Sequence, residues 1–360
     1  MEKTLLRDFS KYVSLNILGM IGVSFYILAD TFYIAKALGA NGIAALNFAI
    51  PAFSIVHGIG LMIGIGGATR YSILNSQNKN EEAEGVFSGS LKLGSMIGLV
   101  FILFGLFGSR TLSSALGADA DTLPLTQAYM ATILTFAPFF ILNNTALAFV
   151  RNDNNPRLAM TAMMVGSFSN VILDYIFLFP LGMGMFGAAF ATSLSPIISL
   201  GILATHFVSK RRSPVFLKHK MTRPAIRDIF TLGSATFIME VSSAVVLTTF
   251  NLLIVGLEGN RGVAAYGIVA NLAFVAVAIF TGLGQGVQPL ISKYYGMKKW
   301  ELVKKVKSYA LTTAVLIAAL IYVGTFAYSD TLISLFNNEN DPAIAQLAGE
   351  GMKIYFLGFF

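Results

Sequence analysis

Gly64-Ile65-Gly66-Gly67-Ala68-Thr69-Arg70-Tyr71-Ser72 and Gly284-Gln285-Gly286-Val287-Gln288-Pro289-Leu290-Ile291-Ser292 stand 220 residues apart, and the relation between them decides the fold. Gly64, Gly66 and Ser72 fall on Gly284, Gly286 and Ser292. The same shift lays 41–140 over 261–360 without a gap. Gly42, Ala44 and Ala45 meet Gly262, Ala264 and Ala265, and Glu81 meets Glu301. Further on, Ser109, Thr111, Leu112 and Ser114 meet Ser329, Thr331, Leu332 and Ser334. Loops match as well as apolar runs, so the constant register marks an internal duplication. Neither stretch reads as a phosphate loop. Gly64 to Gly67 lack a following Lys-Ser or Lys-Thr and a preceding strand, and close helix packing accounts for them better. Pro289 predicts a bend in its span.

Both stretches lie inside apolar runs. The chain is 55% hydrophobic and 12% charged, against roughly 25% charged in an ordinary soluble domain. Runs near 12–35, 43–69, 86–108, 125–150, 158–179, 187–208, 228–257, 262–290 and 308–328 each reach the ~20 residues that cross a ~30 Å hydrocarbon core. A tenth begins near 346. None alternates polar and apolar residues over its length, and many contain Gly or Pro, which favours helices over a barrel. The fold class is an all-α polytopic membrane protein of two parallel six-helix repeats, the second truncated in this chain. An N-lobe of six spans covers 1–208, a basic linker with Pro214 and Pro224 covers 209–227, and a C-lobe covers 228–360 with helices seven to ten. Phe360 is the counterpart of Phe140, so the duplication implies roughly 70 further residues and two more spans.

The net charge of +7 does not point to nucleic acid, because the basic residues sit in the short links between spans. With the N-terminus cytoplasmic, inside segments hold 21 of the 25 Lys and Arg, and outside loops hold Lys36, Arg110 and Arg261. That asymmetry sets a cytoplasmic N-terminus. A cysteine introduced at Ser213 is expected to react only with reagents admitted to the cytoplasm, and one at Asn338 from outside. The reverse labelling would overturn the orientation. The first span continues through Asp30 to about Leu38 without a small-residue cleavage site, so it reads as a retained anchor. The sequence has no cysteine, hence no disulfide or thiolate chemistry.

Ionisable groups within spans are costly in hydrocarbon and so mark function. Asp30, Asp174 and Glu240 qualify. Asp30 follows Tyr26 by four residues and Asp174 follows Asn170 by four, which places each pair on one helix face. Both helices start inside, so the acids lie ~27 and ~24 Å along them and can face one another. Such a pair can hold a proton. Alternatively, Asp30, Asn170, Asp174 and Thr192 can supply oxygens to a small hard cation such as Na⁺. Glu240 lies ~16 Å into the seventh span, with Lys353 as the only basic span residue to partner it. A substrate site is assigned to Glu240, Asn144, Met163 and Met239. The methionines Met160, Met163, Met164, Met183 and Met185 offer a pliable lipophilic lining, and ordinary packing explains them as well. His57, His206 and His219 lack metal-ligand spacing and are read as packed or solvated.

These residues resemble those of the multidrug and toxic-compound extrusion family, in its bacterial multidrug-export branch. Tyr26-Ile27-Leu28-Ala29-Asp30, with Gly39 and Ala44-Ala45, is similar to the family's first-span signature. Asn170-Val171-Ile172-Leu173-Asp174 and Gly187-Ala188-Ala189-Phe190-Ala191-Thr192, within 151–193, resemble its fourth-to-sixth-span region. Gly284 to Ser292 resembles its eighth-span motif. The resemblance covers the whole chain. It implies twelve helices in two lobes around a cleft, and an N-lobe coupling-ion site at Tyr26, Asp30, Asn170, Asp174 and Thr192. Glu240 resembles a C-lobe acid used by other branches. The expected function is a secondary antiporter in the cell membrane, exporting lipophilic or cationic compounds in exchange for Na⁺ or H⁺. It has no other cofactor, and its partners are the bilayer and the small substrates. The expected state is monomeric. A lipid-linked saccharide flippase would need cavity Arg or Lys for pyrophosphate, and a membrane-embedded enzyme would need clustered Asp, His or Ser. The first nine spans offer neither.

Overall fold

The computed structural model describes residues 2–209, 221–334 and 342–360, and among them every regular element is helical. Lys210, Arg211, Arg212, Ser213, Pro214, Lys218, His219 and Lys220 of the expected linker, and Asn338 of the outside loop, lie outside the described residues. In chain order the helices are α1 Glu2–Ser76, α2 Asn80–Leu103, α3 Ser109–Ala115, α4 Leu123–Thr135 and α5 Ala137–Asn152. There follow α6 Pro156–Leu178, α7 Gly184–Ser209, α8 Arg223–Gly296, α9 Trp300–Ala327, α10 Ser329–Ser334 and α11 Pro342–Tyr355.

Among the described residues seven helical stretches are long and apolar enough to cross a membrane, two of them, Arg223–Leu247 and Ala265–Gly296, within α8, and eight if the bent pair α4 and α5 makes one span. The first runs for 74 residues, ~110 Å at helical rise, so it crosses twice. It breaks at Gly39, whose φ of 64° and ψ of −153° suit a residue without Cβ. This gives the nine complete runs seen in the sequence. α4 and α5 meet at 50°, where Pro138 has no N–H for the carbonyl of Leu134. A π-helical turn, Phe104–Gly108, joins α2 to α3.

Element ends recur at the 220-residue offset. α1 and α8 end at Ser76 and Gly296, α2 and α9 begin at Asn80 and Trp300, and α3 and α10 begin at Ser109 and Ser329. Between α1 and α2, Asn78 has φ 60°; between α8 and α9, Lys298 has φ 58°. Lys79 N–H donates to Leu74 O at 3.0 Å, and Lys299 N–H to Tyr294 O at 2.9 Å, the same hydrogen-bonded helix end twice over.

Lipid tails are as apolar as leucine, so helices in a bilayer associate through close packing and polar contacts. Two seams show both. Before its break, α1 packs Leu5, Phe9, Tyr12 and Val13 against Leu283, Val287 and Leu290 of α8. After the break, it packs Ile65, Ala68, Tyr71 and Leu74 with Ala225 and Ile229 of α8. Glycines let the backbones meet. A Cβ on Gly286 would stand 2.8 Å from Val13 Cα, and one on Gly66 would run into the carbonyl of Ile229. Arg151 at the end of α5 is 2% exposed and donates to Asn16 Oδ1 at 2.7 Å and Gln285 Oε1 at 2.6 Å. Asn152 Nδ2 donates to Gln288 Oε1 at 2.8 Å, and Gln288 Nε2 to Thr69 Oγ1 at 2.7 Å. Arg70 pairs with Asp228 at 3.2 Å. These contacts tie the seams together at the end of the bundle that carries the N-terminus. Away from the seams Leu99, Leu103 and Phe107 of the α2 region are exposed, as lipid-facing side chains should be.

Candidate functional site

α6 begins at an N-cap, where Asn155 Oδ1 accepts from the N–H of Leu158 at 3.3 Å, followed by Pro156. Its buried stripe runs Ala159, Ala162, Met163, Gly166, Ser167, Asn170, Asp174 and Leu178, while Phe168, Ile172 and Tyr175 are exposed. This is the helical period, and Asn170 and Asp174 lie on its inward face. Both are 0% exposed, and Asp30 of α1 is 6% exposed. An apolar span thus turns its acid toward protein rather than lipid.

The two acids meet. The side chains of Asp30 and Asp174 come within hydrogen-bonding reach of each other, a spacing at which two ionised carboxylates would repel. With the Asn170 amide turned so that its nitrogen faces the carboxylate, Nδ2 donates to Asp174 Oδ2 at 3.0 Å, and Oδ1 accepts from the backbone N–H of Thr192 at 3.2 Å. Tyr26, one turn before Asp30, lies within electrostatic reach of both acids. All five residues expected at the coupling-ion site therefore gather at one place. Oδ1 of Asp30 and Oδ1 of Asp174 are buried without a hydrogen-bond partner. An unsatisfied buried carboxylate oxygen is costly, and these two are disposed to receive a proton or a small cation. No set of three or more His, Asp and Glu suited to a metal ion occurs among the described residues. Amide and hydroxyl oxygens would have to complete any Na⁺ shell.

Tyr129 of α4 was not expected there. It is 5% exposed and lies close to Thr192, within reach of Asp30 and Asp174. Its signal in the sequence was a mid-span tyrosine, whose buried hydroxyl needs a partner.

Glu240 lies elsewhere, and its expected surroundings are corrected. Its partner is His57 of α1, with Nδ1 3.1 Å from Oε1, and Lys353 instead stands over the Phe326 ring at 5.6 Å. His57 is thus neither merely packed nor merely solvated. His206 likewise pairs through Nε2 with Asp153 Oδ2 at 2.8 Å. Of the other residues assigned to a substrate site, Met163 is 7% exposed with its sulfur against Gly19, Asn144 packs beside Gly60, and Met239 is 52% exposed.

The MatE family model matches residues 16–176 and 235–360. The multidrug export protein MepA of Staphylococcus saprophyticus is 29% identical over 333 residues, 91% of this chain and 72% of the relative. MepA of Staphylococcus aureus strain MRSA252 is 27% identical over 332 residues, with the same coverage. Among solved structures, an outward-facing multidrug resistance MATE family transporter of the MOP superfamily superposes with a TM-score of 0.87 at 23% identity, over 99% of this chain and 80% of that one. A MATE structure in the straight conformation gives 0.88 at 23% identity, over 99% and 80%. A MOP superfamily transporter from Pyrococcus furiosus gives 0.84 at 24%, over 98% and 79%.

Proposed function

The chain belongs to the MatE family of multidrug efflux transporters, and we propose that it is a cation-coupled antiporter exporting lipophilic or cationic compounds in exchange for Na⁺ or H⁺. It is a transporter rather than an enzyme, and its apolar helices place it in a membrane. The observation that carries the coupled reading is the buried Asp30–Asp174 pair with its two unpartnered oxygens. A second ligand of opposite effect is what antiport needs, because a ligand that binds both conformations equally shifts neither.

In this reading 1–208 is the N-lobe, 209–227 the cytoplasmic linker and 228–360 part of the C-lobe. The N-terminus is cytoplasmic, and the protein acts as a monomer in the cell membrane. Tyr26, Asp30, Asn170, Asp174 and Thr192 take the coupling ion. When a proton or Na⁺ occupies them, the lobe loses negative charge and attracts a cationic substrate less. By linkage, bound substrate weakens the ion by the same factor.

Counterflow of ethidium in vesicles, driven by a Na⁺ gradient or a pH gradient separately, tests the reading and distinguishes the ions. Ethidium moved by neither gradient would overturn it. Equilibrium affinity for ethidium is expected to fall as Na⁺ rises or pH drops, by about 1–3 kcal/mol if the coupling is typical. Affinity indifferent to both ions would remove the N-lobe acids from the mechanism.

A further inference from the structure

We propose that the turn between α8 and α9, with the first turns of α9, binds the headgroup of an anionic phospholipid through Lys298, Lys299, Lys304 and Lys305, beside Tyr295 and Trp300. The inference is independent of the coupling ion and of the exported compound.

This turn is one of a related pair, and the two differ in chemistry. Residues 298–307 carry Lys298, Lys299, Lys304, Lys305 and Lys307 against Glu301, a net charge of +4. Their counterparts at 78–87 carry Lys79 against Glu81, Glu82 and Glu84, a net charge of −2. The backbone of the two turns is alike, with positive φ at both Asn78 and Lys298, so joining the helices does not require the lysines. Orientation does not require them either. Without these five, the inside segments keep 16 of their 21 Lys and Arg, against three outside, an asymmetry that still sets the topology.

Aromatic side chains mark the same place. Trp300 is the only tryptophan of the chain. Its ring meets Tyr295 edge-on, with centroids 5.1 Å apart and planes at 86°, and both residues are half exposed. Their counterparts are Asn80 and Asn75. Tyr and Trp are enriched at the level of lipid headgroups, where an amphipathic ring is at home. Lys304 and Lys305 precede the apolar run that opens near 308 by ~6 and ~5 Å at helical rise, which sets their ammonium groups among the phosphates that border the hydrocarbon core.

α9 turns one face to protein and another to lipid. Leu302, Val306 and Tyr309 pack with residues of α1 and α8. Lys305, Leu316 and Val323 fall on a different face, at i, i+11 and i+18. Leu316, Leu320 and Val323 are exposed, and so are their counterparts Met96, Val100 and Leu103, so both halves leave this face to acyl chains. Only in the second half does a basic cluster head the stripe. Lysines alone would suit any phosphate, whereas lysines above an acyl-lined stripe suit a phosphate that carries lipid tails.

The test is retention of spin-labelled phosphatidylglycerol and phosphatidylcholine by the purified full chain in phosphatidylcholine vesicles. The unmutated chain is expected to prefer phosphatidylglycerol, and the preference to weaken as NaCl rises. Changing Lys298, Lys299, Lys304 and Lys305 together to Gln should reduce the preference roughly tenfold or more, and changing all four to Arg should keep it. Lys298→Gln/Lys299→Gln, confined to the exposed turn, guards against a folding defect and should lose part of the preference. Trp300→Ala should also lose part of it, while Lys79→Gln at the related turn should lose none. Inorganic phosphate should fail to displace the labelled lipid. Displacement by inorganic phosphate would assign the lysines to a free anion and overturn the proposal. Equal retention of the two lipids by the unmutated chain, or a preference undiminished in both Gln variants, would overturn it too.

Discussion

Asp174→Asn is expected to abolish gradient-driven efflux while the protein stays folded in the membrane. The substitution preserves shape, and its consequences follow from the hydrogen bonds. Asp174 Oδ2 accepts from Asn170, which an amide oxygen can also do, and the new NH₂ can donate to Asp30. The local network is thus satisfied and the fold should survive. What is lost is one of two buried carboxylates and its unpartnered Oδ1. A charge-assisted contact contributes about 1.5–3 kcal/mol, so ion affinity should fall roughly ten- to hundredfold. With Asp30 alone the site cannot balance a cation as before, and export should drop to background under either gradient. The check is ethidium efflux from vesicles, with elution as a monodisperse species as the folding control. Efflux equal to that of the unmutated chain would falsify the assignment of the ion site.

Gly66→Leu is expected to hold the seam open and stop turnover. The added Cβ meets the carbonyl of Ile229 and the amide of Gly233. Both are backbone atoms that no rotamer change can move. Overpacking typically costs about 1–3 kcal/mol, and here the relief lies in parting α1 from α8. The shut form should become a minor state, depleted roughly ten- to hundredfold. Gly286→Leu should act alike, since a Cβ there lies 2.9 Å from Tyr12 O. A cysteine at Thr69, beside Gln288 in the unmutated seam, should become reactive toward impermeant maleimide from the N-terminal side. Wild-type transport by Gly66→Leu would show that the seam does not need to close.

Much of this was legible because it is written at short range. Helical spans follow from apolar length, and the inward face of α6 follows from four-residue spacing between Asn170 and Asp174. The duplication follows from register. What was not legible depends on contacts between helices far apart in sequence. His57 and Glu240 are 183 residues apart, and nothing local says that the second crossing of α1 lies against the first stretch of α8. Arg151 reads as a basic residue at a span's end, and only packing shows it buried between Asn16 and Gln285. Tyr129 carries no charge to mark it within its span, and its contribution is a hydroxyl set beside Thr192.

The recurring backbone also carries its own controls. Asp30 has Phe250 as its counterpart and Tyr26 has Val246, just as Glu240 has Met20. Helix ends and turns thus recur between the two halves, while these side chains differ. Any side chain can be transplanted to its sister position, where the helix ends and turns repeat but the chemistry does not. A role that travels with the residue belongs to its functional group, and one that stays behind belongs to the place.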